Sequence, residues 1–75
     1  MLHPLKKLKK ARGLTYREIA AHVREISGED TPTDHTIIAI ATGQFNASPR
    51  MADKIHNAFP EVSREDLIYF SITSQ

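Results

Sequence analysis

The chain has no cysteine, only three glycines and four prolines among its 75 residues, and no apolar run approaching the length of a membrane span. Without cysteine there is no disulfide framework, no thiolate zinc site and no cysteine nucleophile. A membrane helix needs roughly 20 consecutive apolar residues, and a secretory signal needs an apolar N-terminal stretch. Neither pattern is present, so a cytoplasmic protein without a membrane partner is expected. A chain this short buries about 60% of the surface it exposes when unfolded, which leaves room for one core. One domain spanning residues 1–75 is expected.

What is present is charge, unevenly placed. From Met1 to Arg24 seven cationic residues face Glu18 alone, a net +6. From Glu25 onward three cationic residues face eight carboxylates, a net −5, and the whole chain carries only +1. A basic half suggests a polyanionic partner, and it is equally compatible with a solvated helix face.

The hydrophobic pattern has helical spacing throughout and no alternating stretch of strand type. Pro4 opens a first helix that carries Leu5 and Leu8 inward, and Gly13 ends it with Arg12 in the last turn. Thr15 with Glu18 forms a capping-box pattern ahead of Ile19, Ala20, Val23 and Ile26, and Ser27 and Gly28 close that second helix. A polar connection leads to a third helix, for which two starts compete: Thr31 with Pro32 and Asp34, or Thr33. Ile37 and Ile40 point inward from it, and Gly43 ends it. Ser48 and Pro49 begin a fourth helix with a Met51, Ile55, Phe59 stripe, stopped by Pro60. Ser63 with Asp66 introduces a fifth, whose Leu67, Ile68 and Phe70 close the core, and the last polar residues are expected to fray. Every helix except the first thus has a Ser or Thr cap. The fold class is all-α, a compact five-helix bundle.

An ordered set of these residues carries more information than the composition. It comprises Leu5, Leu8, the Arg12-Gly13-Leu14-Thr15 turn, Glu18-Ile19-Ala20, Thr36-Ile37, Ile40, Gly43, Ser48-Pro49, Ala52, Ile55 and Asp66-Leu67. In this set the sequence resembles the phage-repressor helix-turn-helix family, the Cro-type or XRE-type DNA-binding domains, over about residues 5–68. The resemblance implies a second helix lying across the DNA backbone and a third in the major groove, usually in a dimer on a near-palindromic site. It makes Asp34, His35, Thr36, Ile38 and Ala39 the base-reading candidates. Lys9, Lys10, Thr15, Tyr16, Arg17, Asn46 and Arg50 become the phosphate candidates, with Tyr16 where the family often carries a glutamine.

The chain departs from that pattern in three places. The stretch between Ala20 and Thr33 is about seven residues longer than the usual tight turn, so the second helix is lengthened or the turn is an extended loop, with Gly28 in the place of the turn glycine. The family's bridge between an arginine of the first helix and a glutamate of the third falls on Lys9 and Ala41, which cannot form it. The third helix also presents few orthodox readers: His35 and Thr36 carry hydrogen-bonding groups, and Ile38 or Ala39 suits a thymine methyl. Asp34 suits cytosine N4 in principle, but a carboxylate at a helix start is favoured by the helix dipole, and the capping role is the better fit.

Other signals have simpler explanations. His3, His22, His35 and His56 are scattered, with no i, i+4 pair for a metal. His35 suits a base or phosphate contact as well as it suits plain surface. Phe45 and Phe59 read as core and Tyr16 as helix-start packing or phosphate contact. Tyr69, Phe70 and Ile72 read as core closure or a dimer surface. No catalytic constellation, metal or cofactor is indicated. The expected function is that of a sequence-specific transcriptional regulator of phage or mobile-element type, acting on double-stranded DNA as a homodimer, if only when on DNA. The alternative is a protein-interaction module on the same fold, antirepressor-like, with a repressor as partner.

Overall fold

The molecule is described here by a computed structural model covering residues 3–44 and 46–73, with side chains through Ile68. Phe45, the side chains of Tyr69, Phe70 and Ile72, and the chain ends lie outside the described residues. Five helices follow one another: α1 (Pro4–Arg12), α2 (Tyr16–Ser27), α3 (Asp34–Ala41), α4 (Pro49–Ala58) and α5 (Arg64–Thr73). The described residues contain no strand.

Local chemistry sets most of the boundaries. The Thr15 hydroxyl accepts from the Glu18 N–H at 3.1 Å and the Glu18 carboxylate accepts from the Thr15 N–H at 2.9 Å, so both halves of the capping box form. Gly28 ends α2 at φ 72°, where its N–H donates to the Arg24 carbonyl. A side chain there would meet open space but would suffer the left-handed backbone penalty, so glycine is required by conformation and not by crowding. At α3 the competition resolves to Thr33, whose hydroxyl accepts from the Thr36 N–H at 3.3 Å. Ser48 caps α4 through the Met51 N–H, with Pro49 in the first turn.

The first helix also has a cap, supplied by a residue type the usual preferences leave out. His3 is buried, and its Nδ1 accepts from the Leu5 N–H at 3.1 Å. Accepting requires an unprotonated ring nitrogen. Burial, and secondarily the charge of Lys6, lowers the His3 pKa from 6.5 to about 4.

The core draws on all five helices. Leu5 and Leu8, Ile19 and Val23, Ile37 and Ile40, Ile55 and Phe59, and Leu67 are all buried. Phe59 meets His22 at a ring-centroid distance of 4.9 Å near the middle of α2. Arg50, in the first turn of α4, reaches Glu29 just beyond the α2 C-terminus. These two contacts set α4 antiparallel to α2. Ala20 is fully buried, which lets α2 be packed closely from both sides. Ala41 is also buried, and the α1 anchorage that Lys9 and Ala41 cannot provide comes from elsewhere. Arg12 makes a two-pronged pair with Glu61 at 2.6 and 3.0 Å and lies over the Phe59 ring at 5.3 Å. The α4–α5 corner is closed by His56, whose Nδ1–H donates to the Val62 carbonyl at 2.7 Å, and by Arg64 with Asp53 at 2.9 Å.

The extra length between α2 and α3 is divided between helix and loop. The second helix runs twelve residues, to Ser27, and residues 28–33 form a further connection. That connection is tied down at each step. Glu29 accepts from Lys54 at 2.7 Å and from Arg50 at 3.0 Å, the Lys54 amine also donates to the Thr31 hydroxyl at 2.9 Å, and Arg24 donates to the Pro32 carbonyl at 2.8 Å. Pro32 itself is fully buried.

The lowered pKa of His3 has a definite consequence for stability. The folded state prefers the neutral ring, so the His3 contribution is complete above pH 6.5 and is lost as pH falls toward 4. The drop in pKa corresponds to at most about 3 kcal/mol. Glu29 and Glu61, held low by their cationic partners, weaken the fold only below the usual carboxylate value of 4.5. Urea denaturation between pH 7 and pH 4.5 should therefore show a decline that His3→Asn, whose amide can cap at any of these pH values, largely removes. An undiminished decline in that variant contradicts the role given to His3.

Candidate nucleic-acid interface

The α3 surface is divided by the 100° step of its residues. Ile37, Ile40 and Ala41 are buried, which turns His35, Ile38, Ala39 and Thr42 outward as one stripe. Asp34 lies on the flank toward α2 and Thr36 on the opposite one. Ile38 is 39% exposed, a large aliphatic side chain open to solvent, while Ala39 is half-buried. The two threonine hydroxyls near this face are engaged internally. Thr36 Oγ1 lies 3.1 Å from Thr33 Oγ1, and Thr42 Oγ1 donates to the Ile38 carbonyl at 2.8 Å. His35 is exposed and makes no hydrogen bond or ion pair among the described residues.

Asp34 sits between two guanidinium groups of α2. Arg24 approaches one carboxylate oxygen at 3.7 Å and Arg17 the other at 3.9 Å, both ion pairs beyond hydrogen-bond length. Arg17 and Arg24 are seven residues apart, two helical turns, so they share an α2 flank. The carboxylate also stands in the first turn of α3, where the helix dipole favours an anion. The acidity at the head of α3 is therefore offset by two cations.

The phosphate candidates fall into two groups. At the head of α2, Tyr16 packs half-buried against the core and its ring carries the Lys9 amine 5.4 Å from the centroid. Burial raises the Tyr16 pKa, so the phenol keeps its proton and can donate it. Thr15 uses its hydroxyl oxygen as the α2 cap, which leaves the hydroxyl hydrogen to donate outward. Arg17 is 85% exposed and loosely paired, hence able to exchange Asp34 for another anion. Lys9, Tyr16, Arg17 and Asp34 thus form a continuous path from α1 to the head of α3. Lys6, Lys7 and Lys10 are exposed, and no carboxylate among the described residues pairs with them. Arg50 belongs to the second group, held by Glu29 past the far end of α2, a helix about 18 Å long at 1.5 Å per residue. Asn46 lies half-buried in the α3–α4 connection.

The positioning residues Arg24, Glu29 and Lys54 are not singled out by the sequence pattern. The Arg17–Arg24 spacing is a legible signal for Arg24. Glu29 and Lys54 lie 25 positions apart and nothing local connects them. Among the described residues no group of three potential metal ligands converges, and no helix is long and apolar enough to cross a membrane. No protein-family model, curated protein or solved structure matches the chain. What the surface can do must be read from its own side chains.

The clamp on residues 28–33 can be tested directly. Lys54→Met removes the donor shared by Glu29 and Thr31, and it should speed amide hydrogen exchange over residues 29–36 while α1 keeps wild-type protection. Uniform acceleration along the whole chain would show that Lys54 supports the fold at large and not the placement of α3.

Proposed function

We propose that the protein is a small DNA-binding regulator that sets α3 in the major groove and the head of α2 on the phosphate backbone. The observation that carries this reading is the path from Lys9 over Tyr16 to Arg17, ending beside the first turn of α3. A helix whose outward stripe is flanked by cationic and phenolic donors has the two parts a groove-reading element needs. One part neutralises phosphate and fixes register, and the other meets base edges. The acidic residue that the resemblance places against the groove, Asp34, lies toward α2 and keeps Arg24 beside it when Arg17 turns to phosphate, which lessens the electrostatic cost of an acid there.

Within this reading Lys9, Lys10, Thr15, Tyr16 and Arg17 hold one stretch of backbone, and Arg50 with Asn46 a second. His35, Ile38 and Ala39 face the bases. One copy offers little surface for tight specific binding, so a homodimer on a two-fold site, formed in solution or only on DNA, is part of the proposal. The resemblance to phage repressors adds to this reading a phage or mobile-element switch in the cytoplasm, regulated by its own concentration. A second reading, an interaction module that binds a repressor protein, is favoured by one observation, the exposed aliphatic Ile38 with the neighbouring threonine hydroxyls already engaged in local hydrogen bonds.

A salt titration on random-sequence duplex separates the two. Contacts from Lys9, Lys10, Arg17 and Arg50 predict a log-log slope of roughly −3 to −4 for each bound chain, about twice that for a bound homodimer, at about 0.9 per neutralised phosphate. Arg17→Gln should reduce that slope by about one across all sequences. No detectable binding even at very low salt would leave the protein-partner reading as the better one.

A further inference from the structure

We infer that α3 recognises the C5-methyl groups of the major groove, thymine first among them, through the stripe formed by Ile38 and Ala39 beside His35. The inference rests on the DNA-binding reading above and adds the chemical class of the base signal. Base edges are usually distinguished by donors and acceptors. On this helix those groups stay near the surface but already have partners within the chain. The Thr42 hydroxyl donates to the Ile38 carbonyl, the Thr36 hydroxyl lies against that of Thr33, and the Asp34 carboxylate sits between Arg17 and Arg24. What remains outward in the middle of the helix is the 39%-exposed Ile38 side chain and the Ala39 methyl, with His35 the one polar group not engaged among the described residues.

Charge complementarity selects the occupant of this apolar stripe. It is flanked on the α2 side by Arg17 and, through Tyr16, by Lys9, which suits a surface whose rim is phosphate and whose floor displays methyl groups. Thymine and 5-methylcytosine are the bases that place an apolar group at that position of the major groove. Uracil keeps the thymine O4 acceptor and the adenine partner but lacks the methyl. It therefore isolates the proposed contact from every hydrogen bond.

The test uses four alternating duplexes of equal length, (dA-dT), (dA-dU), (dG-dC) and its 5-methylcytosine counterpart, with the wild-type chain and Ile38→Asn. Wild type should bind the methylated member of each pair more tightly, by about fourfold per contacted methyl, the equivalent of ~0.8 kcal/mol for one buried CH₂ group. Ile38→Asn should erase both gaps while keeping its salt dependence. If that variant loses its helical circular dichroism, Ala39→Ser serves in its place with the same expectation at smaller size. Equal wild-type affinity for (dA-dT) and (dA-dU) overturns the methyl assignment and leaves the DNA-binding reading standing. A gap that survives both substitutions overturns the assignment to this stripe. Binding to no duplex at low salt overturns the DNA-binding reading, and the methyl inference with it.

Discussion

The placement of α3 depends on one nearly buried cation. Lys54, with 12% of its side chain exposed, donates to Glu29 and to Thr31, and so fastens to α4 the connection that delivers the chain to α3. Ordering six loop residues costs about 1–2 kcal/mol each in backbone entropy, more than any isolated surface ion pair returns. The connection therefore needs several ties acting together. Arg50 shares Glu29, Arg24 holds the Pro32 carbonyl, and the Pro32 ring is sealed in the core. Lys54 is the member that cannot be left alone, because a buried ammonium without partners is costly. With Lys54 and these other ties in place the head of α3 arrives beside α2.

Local chemistry and remote pairing were unequally visible before the structure. Helix starts at Thr15, Ser48 and Thr33 follow from the preference of hydroxyl side chains for orphan N–H groups, and the ends at Gly13 and Gly28 from left-handed backbone. Thr31 and Thr33 were indistinguishable by type. The choice falls to Thr33 because Thr31 is recruited by Lys54 and Pro32 is drawn into the core, both tertiary events. The His3 cap has no counterpart among the usual cap preferences, and imidazole serves as one here where burial keeps the ring neutral. The pairs Arg12–Glu61 and Arg50–Glu29 join residues 49 and 21 positions apart. No periodicity encodes such separations, so the anchoring of α1 and of the α2–α3 connection had to be seen in three dimensions.

The division into a basic front and an acidic back takes on a different meaning once partners are assigned. Glu29, Asp34, Asp53 and Glu61 each face a cation, so half of the eight back-half carboxylates are offset where they stand. The lysines of α1 are not consumed in this way. Lys6, Lys7 and Lys10 have no acidic partner among the described residues, and Lys9 rests on an aromatic ring that leaves its charge intact. Net charge near zero thus coexists with a surface that is cationic where the carboxylates are absent, which is the distribution that matters for meeting a polyanion.

Arg17 and Arg24 divide two tasks that a single residue could not perform. Both approach Asp34, but Arg17 is 85% exposed whereas Arg24 is 31% exposed and also hydrogen-bonded to Pro32. In the DNA-binding reading proposed above, an arriving phosphate would compete for the exposed guanidinium, since a charge-assisted hydrogen bond is stronger than a 3.9 Å ion pair in water. If Arg17 alone held Asp34, that exchange would loosen the head of α3 at the moment of contact. Arg24 touches both the carboxylate and the Pro32 carbonyl, so in that reading Arg17 would be free to leave without disturbing the helix beside it. The doubled arginine lets the same flank of α2 be adjustable toward a ligand and rigid toward α3, and the two-turn spacing of the pair makes both possible from one helix.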